Sequence, residues 1–189
     1  MNPPGILLLA LAAFGASAPS GTPSWEVTLA PKGEPGSPFV LEGRVLGAGG
    51  RPMRDVLVHV YHADDHGTYG PRGPSPARLS GMLRTNVLGG YRIHTILPGN
   101  AEGIPHLHFE LAGPNAKYRA GHLTLCRAVG AGSDTSFAHL PQMLSLEEQT
   151  GFWAYVRPDT AGGYRCMWDI PFEELFGVQR PAAFAPQAH

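Results

Sequence analysis

The sequence predicts an all-β protein, an antiparallel β-sandwich of about seven or more short strands with one short helix. The 189 residues include 25 glycines and 19 prolines. Because both residue types break helix and strand interiors, the elements must be short and the turns frequent. A hydrophobic content of 43% is enough for one core in a chain of this length. A helix bundle and a coiled coil are therefore excluded.

Seven segments alternate in polarity or are rich in β-branched residues, as strands are, and turn residues separate them. They are residues 39–46, 56–61, 91–96, 105–111, 123–128, 152–156 and 164–170. Residues 67–81 carry many glycines and prolines and predict a long loop after the second strand. The one predicted helix begins at Ser145, which has capping-box spacing to Glu148, and ends near Gly151.

The N-terminal segment has the pattern of an export signal. Residues 6–14 form an apolar run too short to cross a bilayer, and the small residues 15–18 resemble a cleavage site. We therefore expect a secreted or periplasmic protein with a signal peptide at 1–18, a Pro/Gly-rich leader at 19–38, the sandwich at 39–175 and a C-terminal tail at 176–189. The alternative is a frayed apolar terminus, because the first residues carry no Lys or Arg.

Charge and cysteine content narrow the function further. The chain has 14 basic and 15 acidic residues, a net charge of −1, which gives no electrostatic footprint for nucleic acid or an anionic membrane. Cys126 and Cys166 are candidates for one disulfide in an exported protein, whereas in the cytosol two isolated cysteines are more often buried thiols. No CxxC spacing is present, so a cysteine-built zinc site is not expected.

The strongest chemical signal is the His106-Leu107-His108 segment of the fourth predicted strand. Side chains alternate faces along a strand, so both imidazoles project to one side and can share a metal ion, while Leu107 points the other way. Tyr69 is a candidate third donor, since a bound cation favours phenolate at neutral pH. Two imidazoles and a phenolate suit iron or copper. The alternatives are solvated surface histidines and a tyrosine that only packs.

These residues belong to a longer series of co-linear motifs. In chain order they are LEGRV at 41–45, GRPM at 50–53, VLVHVYHAD at 56–64, GTY at 67–69, RTN at 84–86, GGY at 89–91, TILPG at 95–99 and PHLHF at 105–109. The series resembles the intradiol ring-cleavage dioxygenases, the family of catechol and protocatechuate dioxygenases, strongly over residues 39–112 and loosely elsewhere. The resemblance implies a β-sandwich that holds non-haem Fe(III), and a catechol-type aromatic diol and O₂ as substrates in aromatic catabolism. It also implies that Tyr69 is the first tyrosine ligand and that His106 and His108 are the histidine pair.

The sequence departs from the family pattern around the metal. The family has a second tyrosine ligand after the Pro-Gly turn and an arginine three residues before the first histidine. Here Asn100-Ala-Glu-Gly-Ile-Pro105 contains neither, Gly103 stands at the arginine's offset, and Asn86 stands where Asp is usual. Losing one anionic donor weakens the preference for Fe(III), so Cu(II) is the alternative ion. The first candidates for an extra ligand or a pocket residue are Glu102 and Asn100, and the further candidates for a ligand are Asp64, Asp65 and His66. The candidates to replace the missing arginine are Arg72, Arg78 and Arg84.

Two functions remain open from the sequence. The first is an exported metal-dependent dioxygenase of aromatic diols. The second is a non-catalytic secreted module, either metal-binding or simply transthyretin-like, because the Gly-x-Val, Gly-x-Pro and Val-x-Val-Tyr pattern at residues 43–61 also resembles such sandwiches. On the same strand His59, Tyr61 and His62 are predicted to be strand surface or hydrogen-bonded core, with Tyr61 or His62 as candidate pocket borders.

Overall fold

The computed structural model describes residues 23–71, 77–100, 104–127, 152–180 and 182–184. Several predictions fall outside these residues: the signal peptide at 1–18, the helix from Ser145, Glu102, Gly103 and Arg72. None of the helices in the described part has the length and hydropathy that a membrane span requires.

Eleven strands make up about half of the described chain. They are β1 (Glu26–Thr28), β2 (Pro38–Leu46), β3 (Leu57–His62), β4 (Leu79–Arg84), β5 (Gly90–Ile96), β6 (His106–Ala112), β7 (Tyr118–Arg127), β8 (Phe152–Pro158), β9 (Tyr164–Met167), β10 (Ile170–Pro171) and β11 (Phe176–Gly177). Short 3₁₀ turns lie at Ala48–Gly50, Pro114–Ala116, Phe172–Glu174 and Ala182–Phe184. The prediction of a mostly β protein is confirmed.

The strands follow one hydrogen-bonded order, β1-β5-β2-β9-β8-β7-β6-β3-β4, with β10 beside β2 and β11 beside β7. The ends of this order approach each other, since the Arg84 amide of β4 donates to the carbonyl of Ser24, just before β1, at 2.8 Å. The sheet is thus nearly closed and barrel-like, and the predicted two-sheet sandwich is not confirmed.

The antiparallel part of the prediction was wrong. β1 runs parallel to β5, β2 to β9 and to β10, and β7 to β8. Alternating polarity reports which side chains are buried but not the direction of the neighbouring strand. Each of these parallel pairs joins strands that are far apart in sequence, so local patterns carry no information about them.

The predicted loop at 67–81 ends earlier than expected, because β4 begins at Leu79 and pairs with β3. Gly81 explains why this strand lacks a strand-like sequence. A Cβ at Gly81 would lie 2.7 Å from a Leu29 methyl carbon and 2.9 Å from one of Val27. The missing side chain lets the β1 segment pack closely over β4.

The core is built from alternate residues of the central strands. Val58 and Val60 of β3, Leu107, Phe109 and Leu111 of β6, and Leu123 and Leu125 of β7 are at most 1% exposed. Because β6 buries its odd-numbered residues, His106 and His108 necessarily face the opposite side of the sheet. The hydrophobic pattern of β6 therefore orients the two histidines.

Cys126 and Cys166 are both free and buried, so the candidate disulfide is not formed in the structure. Cys166 of β9 belongs to the main core, whereas Cys126 of β7 packs with Ile104 and Trp153 in a separate cluster. In the sheet order β8 lies between β7 and β9. Two strand spacings amount to about 10 Å, beyond the Cα separation of roughly 7 Å that a disulfide can bridge.

Candidate metal and diol site

Three side chains from two distant segments meet on the outer face of β6. The Tyr69 hydroxyl oxygen lies 2.9 Å from His106 Nε2 and 2.8 Å from His108 Nε2, and the two Nε2 atoms lie 3.0 Å apart. The structure therefore brings together the three residues that the sequence analysis singled out as metal ligands. We call Tyr69, His106 and His108 the donor triad.

A hydrogen bond selects the tautomer of His106. Its Nδ1 lies 2.8 Å from the carbonyl oxygen of Ile104, and because a carbonyl only accepts, Nδ1 must carry a proton. The tautomer that this bond selects presents the lone pair of Nε2 to Tyr69 and His108. This is the tautomer that a metal ligand needs, with its other ring nitrogen bonded to the backbone.

His108 is held in its neutral form by its surroundings. Burial, followed by the nearby His106, His122 and His62, lowers the pKa of His108 to about 4. Its ring stacks on Tyr61, with centroids 4.7 Å apart and planes 11° from parallel. Tyr61 and His108 face each other directly in the β3–β6 pairing, so the sheet register sets this stack.

A turn held by polar contacts positions Tyr69. The Asp64 carboxylate accepts from the amides of His66 at 3.1 Å and Thr68 at 2.9 Å. Arg78 donates its backbone N–H to the Tyr69 carbonyl at 2.8 Å, and its guanidinium bonds both oxygens of Glu34 at 2.7 Å and Asp64 at 3.2 Å. Arg78 thus links Tyr69 to Asp64 within the turn and to Glu34 outside it. Because its guanidinium is engaged in these bonds, it is not free to replace the missing arginine.

Glycine at position 99 allows this turn to pack against the strand end after β5. A Cβ on Gly99 would lie 2.3 Å from the carbonyl oxygen of Asp65 and 2.6 Å from the Gly67 nitrogen, closer than real Cβ atoms come. The Gly99 amide donates to the Asp64 carbonyl at 2.8 Å. The Pro98-Gly99 motif therefore supports the turn that carries Tyr69.

The donor triad fits a transition-metal ion. Bonds of about 2.1 Å meeting at 90° separate two donors by about 3.0 Å, whereas a tetrahedral angle separates them by about 3.4 Å. The observed separations of 2.8 to 3.0 Å are compatible with one ion held by all three atoms. Within the described ranges no three His, Cys, Asp or Glu side chains form a metal-binding group, whereas the phenol of Tyr69 lies within hydrogen-bond distance of both imidazoles.

The other candidate ligands have different roles or positions. Asn100 and Asp65 line a separate cavity of about 310 Å³ near Gly36 and Leu97. Asp64 is engaged in the turn, and the side chain of His66 is 83% exposed. Asn86 accepts from the amides of Leu88 and Gly90, both at 2.9 Å, so it closes the turn between β4 and β5, which an Asp oxygen would do equally well.

Three other polar residues from the sequence analysis, His62, Arg84 and His59, have hydrogen-bond partners in the structure. His62 is fully buried and hydrogen-bonded, with Nδ1 2.6 Å from the Ala63 carbonyl and Nε2 2.7 Å from the Thr95 hydroxyl, which confirms the hydrogen-bonded core assignment. Arg84 donates to the carbonyl of Asp55 at 3.1 Å. His59 Nδ1 lies 2.9 Å from Glu110 Oε2.

A cavity of about 270 Å³ lies beside His108, the one member of the donor triad among its described lining residues, which also include Tyr61, Glu110, His122, Phe176 and Val178. The sequence analysis missed Glu110, His122 and Phe176. His122 faces His108 across the β6–β7 pair, and its ring centroid lies 6.4 Å from that of His108. The Gly113–Lys117 turn joins β6 to β7 and sets the register in which His108 pairs with His122. The length of this hairpin turn is therefore the sequence feature from which His122 could have been predicted.

The similarity to known proteins agrees with this geometry. A family model described as Dioxygenase matches residues 13–129, more than half of the chain. The chain belongs to the intradiol ring-cleavage dioxygenase family. The resemblance inferred from the motifs is thereby confirmed.

Curated intradiol dioxygenases are similar to part of the chain. It is 38% identical over 98 residues to the protocatechuate 3,4-dioxygenase beta chain of Burkholderia cepacia, covering 43% of this chain and 41% of that protein. It is 37% identical over 67 residues to catechol 1,2-dioxygenase 2 of Acinetobacter lwoffii, covering 34% and 24%. The matches therefore span less than half the length of either relative.

Solved structures of intradiol dioxygenases share the fold. The dioxygenase domain of a dioxygenase carbohydrate-binding protein fusion from Streptomyces sp. SirexAA-E superposes with a TM-score of 0.58 at 22% identity, covering 85% of this chain and 94% of that one. Catechol 1,2-dioxygenase from Pseudomonas arvilla C-1 gives a TM-score of 0.59 at 21% identity, covering 89% and 62%. At these identities the likeness shows the fold alone.

Proposed function

We propose that this intradiol family member is a non-haem metal dioxygenase that opens a catechol-type aromatic diol with O₂. The observation that carries the proposal is the donor triad, in which a phenol oxygen and two imidazole nitrogens approach within 3.0 Å of one another. Tyr69 precedes His106 and His108 by 37 and 39 residues in the sequence. If the two histidines served only to pack the sheet, nothing would require a tyrosine from a distant turn to approach both of them.

Fe(III) is the ion we propose, with Cu(II) as the alternative, because imidazole and phenolate donors suit both. When bound, such an ion acts as a Lewis acid that withdraws charge from a chelated diol and makes the ring susceptible to O₂. The chain's own residues prepare this site. Tyr69 would hold the ion through its phenolate oxygen, and His106 is aimed by its bond to the Ile104 carbonyl.

The remaining residues of the site shape the space for the diol. Tyr61 stacks on His108 and fixes the plane of that ring, and Leu107 anchors β6 in the core between the two ligands. Tyr61 and His108 both line a cavity of about 270 Å³. Tyr69, His106 and His108 would hold the ion, and the ion would bind the two oxygens of the diol.

We also propose that the chain is exported, with cleavage after Ala18. The support is the short apolar run and the small residues before position 19. N-terminal sequencing of the protein recovered from a secreting host tests this. A mature chain beginning at Pro19 in the exported fraction is expected, and an intact N-terminus on protein found only inside the cells would contradict it.

A second candidate function is metal binding without ring cleavage. The observation that favours it is the sequence at 100–105, which contains neither the family's second tyrosine nor its arginine. The triad is compatible with this function too, so binding and turnover must be measured separately.

The deciding experiment measures metal content and colour first. The full mature chain, loaded with Fe(III), is expected to bind one equivalent and to show a visible phenolate-to-metal charge-transfer band. Tyr69→Phe should abolish the band, while the matched control Tyr61→Phe, which keeps the ring stacked on His108, should retain it. A protein that binds no metal, or a band that survives Tyr69→Phe, would refute the proposed site.

Turnover is then tested with a panel of catechols, following O₂ uptake and ring-opened product by mass spectrometry. Product that retains both oxygen atoms of ¹⁸O₂ supports the dioxygenase. A metal-loaded, coloured protein that binds diols and forms no product would favour the second candidate.

A further inference from the structure

We infer that the turn between β4 and β5 docks the protein reversibly on anionic lipid surfaces, through two exposed apolar side chains and the arginines around them. The two side chains belong to Val87 and Leu88, which we call the apolar tip. The inference goes beyond the proposed function and does not depend on it, because the donor triad lies at the other end of the same strands.

The apolar tip is exposed without a reason in the turn or in the core. Val87 is 78% exposed and Leu88 is 70% exposed. They are the central pair of a turn that is closed by the Gly89 amide, which donates to the Asn86 carbonyl at 2.9 Å. Such positions favour glycine, proline, asparagine and aspartate. Neighbouring exposed apolar side chains mark a contact with a protein or a membrane.

The turn holds the apolar tip in a fixed position. The Asn86 side-chain oxygen accepts from the amides of Leu88 and Gly90, both at 2.9 Å. Gly89 packs against the neighbouring segment, since a Cβ there would lie 2.9 Å from the Met53 nitrogen and 3.1 Å from the Pro52 Cβ. The turn is already ordered, so docking costs little conformational entropy.

Positive charge is concentrated around the apolar tip. Residues 44–55 and 84–92 meet at this end of the sheet and contain five arginines but one acidic residue, Asp55. Three of the arginines form ion pairs, which are Arg44–Asp169, Arg54–Asp55 and Arg92–Glu42. Arg51 is exposed, Arg84 donates to the Asp55 carbonyl at 3.1 Å, and neither forms an ion pair within the described residues. The net charge of the whole chain conceals this local excess.

This combination fits a lipid surface better than a protein partner. A stable protein interface buries about 800 Å² on each side, more than two protruding side chains supply. A lipid surface needs no matching pocket, because apolar side chains enter below the headgroups while arginines attract anionic headgroups. Trp25 is exposed at the same end, with the Arg92 guanidinium 5.1 Å from its ring, and tryptophan is typical of membrane interfaces.

The strands place the apolar tip and the donor triad at opposite ends. In the β3–β4 pair Leu57 faces Arg84 at the tip end, and His62 faces Leu79 at the other end. Tyr61, next to His62, faces the triad ligand His108. Five residue steps of strand span roughly 17 Å. A protein docked by the tip therefore keeps the triad directed away from the lipid.

The test is co-sedimentation of the full chain, as recovered from a secreting host, with phosphatidylcholine vesicles that contain about 30% phosphatidylglycerol or none. The protein should bind the anionic vesicles at low salt and be released at high salt, because salt screens the arginines. Equal binding to both kinds of vesicle, or to neither, would overturn the inference.

Variants then locate the contact. Val87→Ser combined with Leu88→Ser should weaken binding to the anionic vesicles about tenfold or more, since two apolar side chains no longer enter the lipid. The matched control combines Tyr155→Ser with Met167→Ser, which removes two exposed apolar side chains from β8 and β9, and should bind like the wild type. Every variant carries the same N-terminus, so the difference belongs to the tip. Unchanged binding by the tip variant would refute its role.

A charge variant leaves the turn intact. Arg51→Gln should weaken binding to the anionic vesicles about fivefold. Its control is Lys32→Gln, an exposed position before β2, whose first residue Pro38 pairs with Ile96 at the end remote from the tip. Equal losses in the two variants would refute a local charge effect. Sedimentation velocity tests a second copy as the partner, because a dimer that the tip variant dissociates, without vesicle binding by the wild type, would overturn the inference.

Discussion

Acid should destabilise this protein through His62, a buried histidine outside the donor triad. Its side chain is fully buried, and burial is the largest cause that lowers the pKa of His62 to about 4. Nδ1 donates to the Ala63 carbonyl and Nε2 can accept from the Thr95 hydroxyl, so the neutral ring has a hydrogen-bond partner at both nitrogens.

The size and sign of the effect follow from linkage. In the unfolded chain His62 takes up a proton near its ordinary pKa of 6.5, whereas in the folded chain it does so only near pH 4. Between these values unfolding binds a proton, so the free energy of unfolding is fully retained above about pH 6.5 and falls as the pH falls toward 4. A shift of this size corresponds to about 3 kcal/mol.

Urea unfolding between pH 4 and 8 measures this loss. The wild type should lose about 3 kcal/mol more than His62→Gln over the window, because glutamine can donate and accept without titrating. His66→Gln removes an exposed histidine and should leave the wild-type slope unchanged. If His62→Gln shows the same pH dependence as the wild type, the reasoning about its burial is wrong.

Three further predictions concern the parts that hold the site. Leu107→Ala should lower the free energy of unfolding by about 3 kcal/mol, as for other fully buried leucines, and a loss below about 1 kcal/mol in urea would contradict its place in the core. Arg78→Met should weaken metal binding in a metal-competition titration, because it releases the Tyr69 turn, whereas the surface control Arg44→Met, which breaks the pair with Asp169, should not; equal affinities would refute the positioning role. Gly99→Ala should weaken metal binding more than Arg78→Met, since its Cβ collides with backbone, and unchanged metal affinity would show that the turn tolerates displacement.

Local pattern predicted the strands where burial alternates along the chain, and failed where burial comes from elsewhere. Residues 105–111 alternate strictly, and β6 lies at His106–Ala112. β4 was missed because Ser80 and Gly81 give it no strand signature, and its packing partners Val27 and Leu29 lie more than fifty residues away. The parallel pairs and the near closure of the sheet depend on long-range neighbours for the same reason.

In the candidate site, too, local sequence pattern predicted some features and could not predict others. The shared face of His106 and His108 follows from the period of two in a strand, and needed no resemblance to any family. The approach of Tyr69 did not follow from spacing, since nothing local relates a turn residue to a strand 37 positions later. It came from the motif series alone. Glu110 and His122 were missed because single polar residues on a strand are usually solvated, and only the register gathers them into one cavity.

The two sources of donors also explain how this family member can change its ligand set while keeping the fold. The histidines are fixed by β6, whose odd-numbered residues are core, so altering that strand costs stability. Tyr69 is supplied by a turn held by Arg78, Asp64 and Gly99, and this turn can shift without disturbing the core. Changes in the turn should therefore move metal affinity more than stability, and changes at Leu107 should do the reverse. If the phenol donor and the imidazole donors respond separately in this way, the proposed three-donor centre does not depend on a second tyrosine.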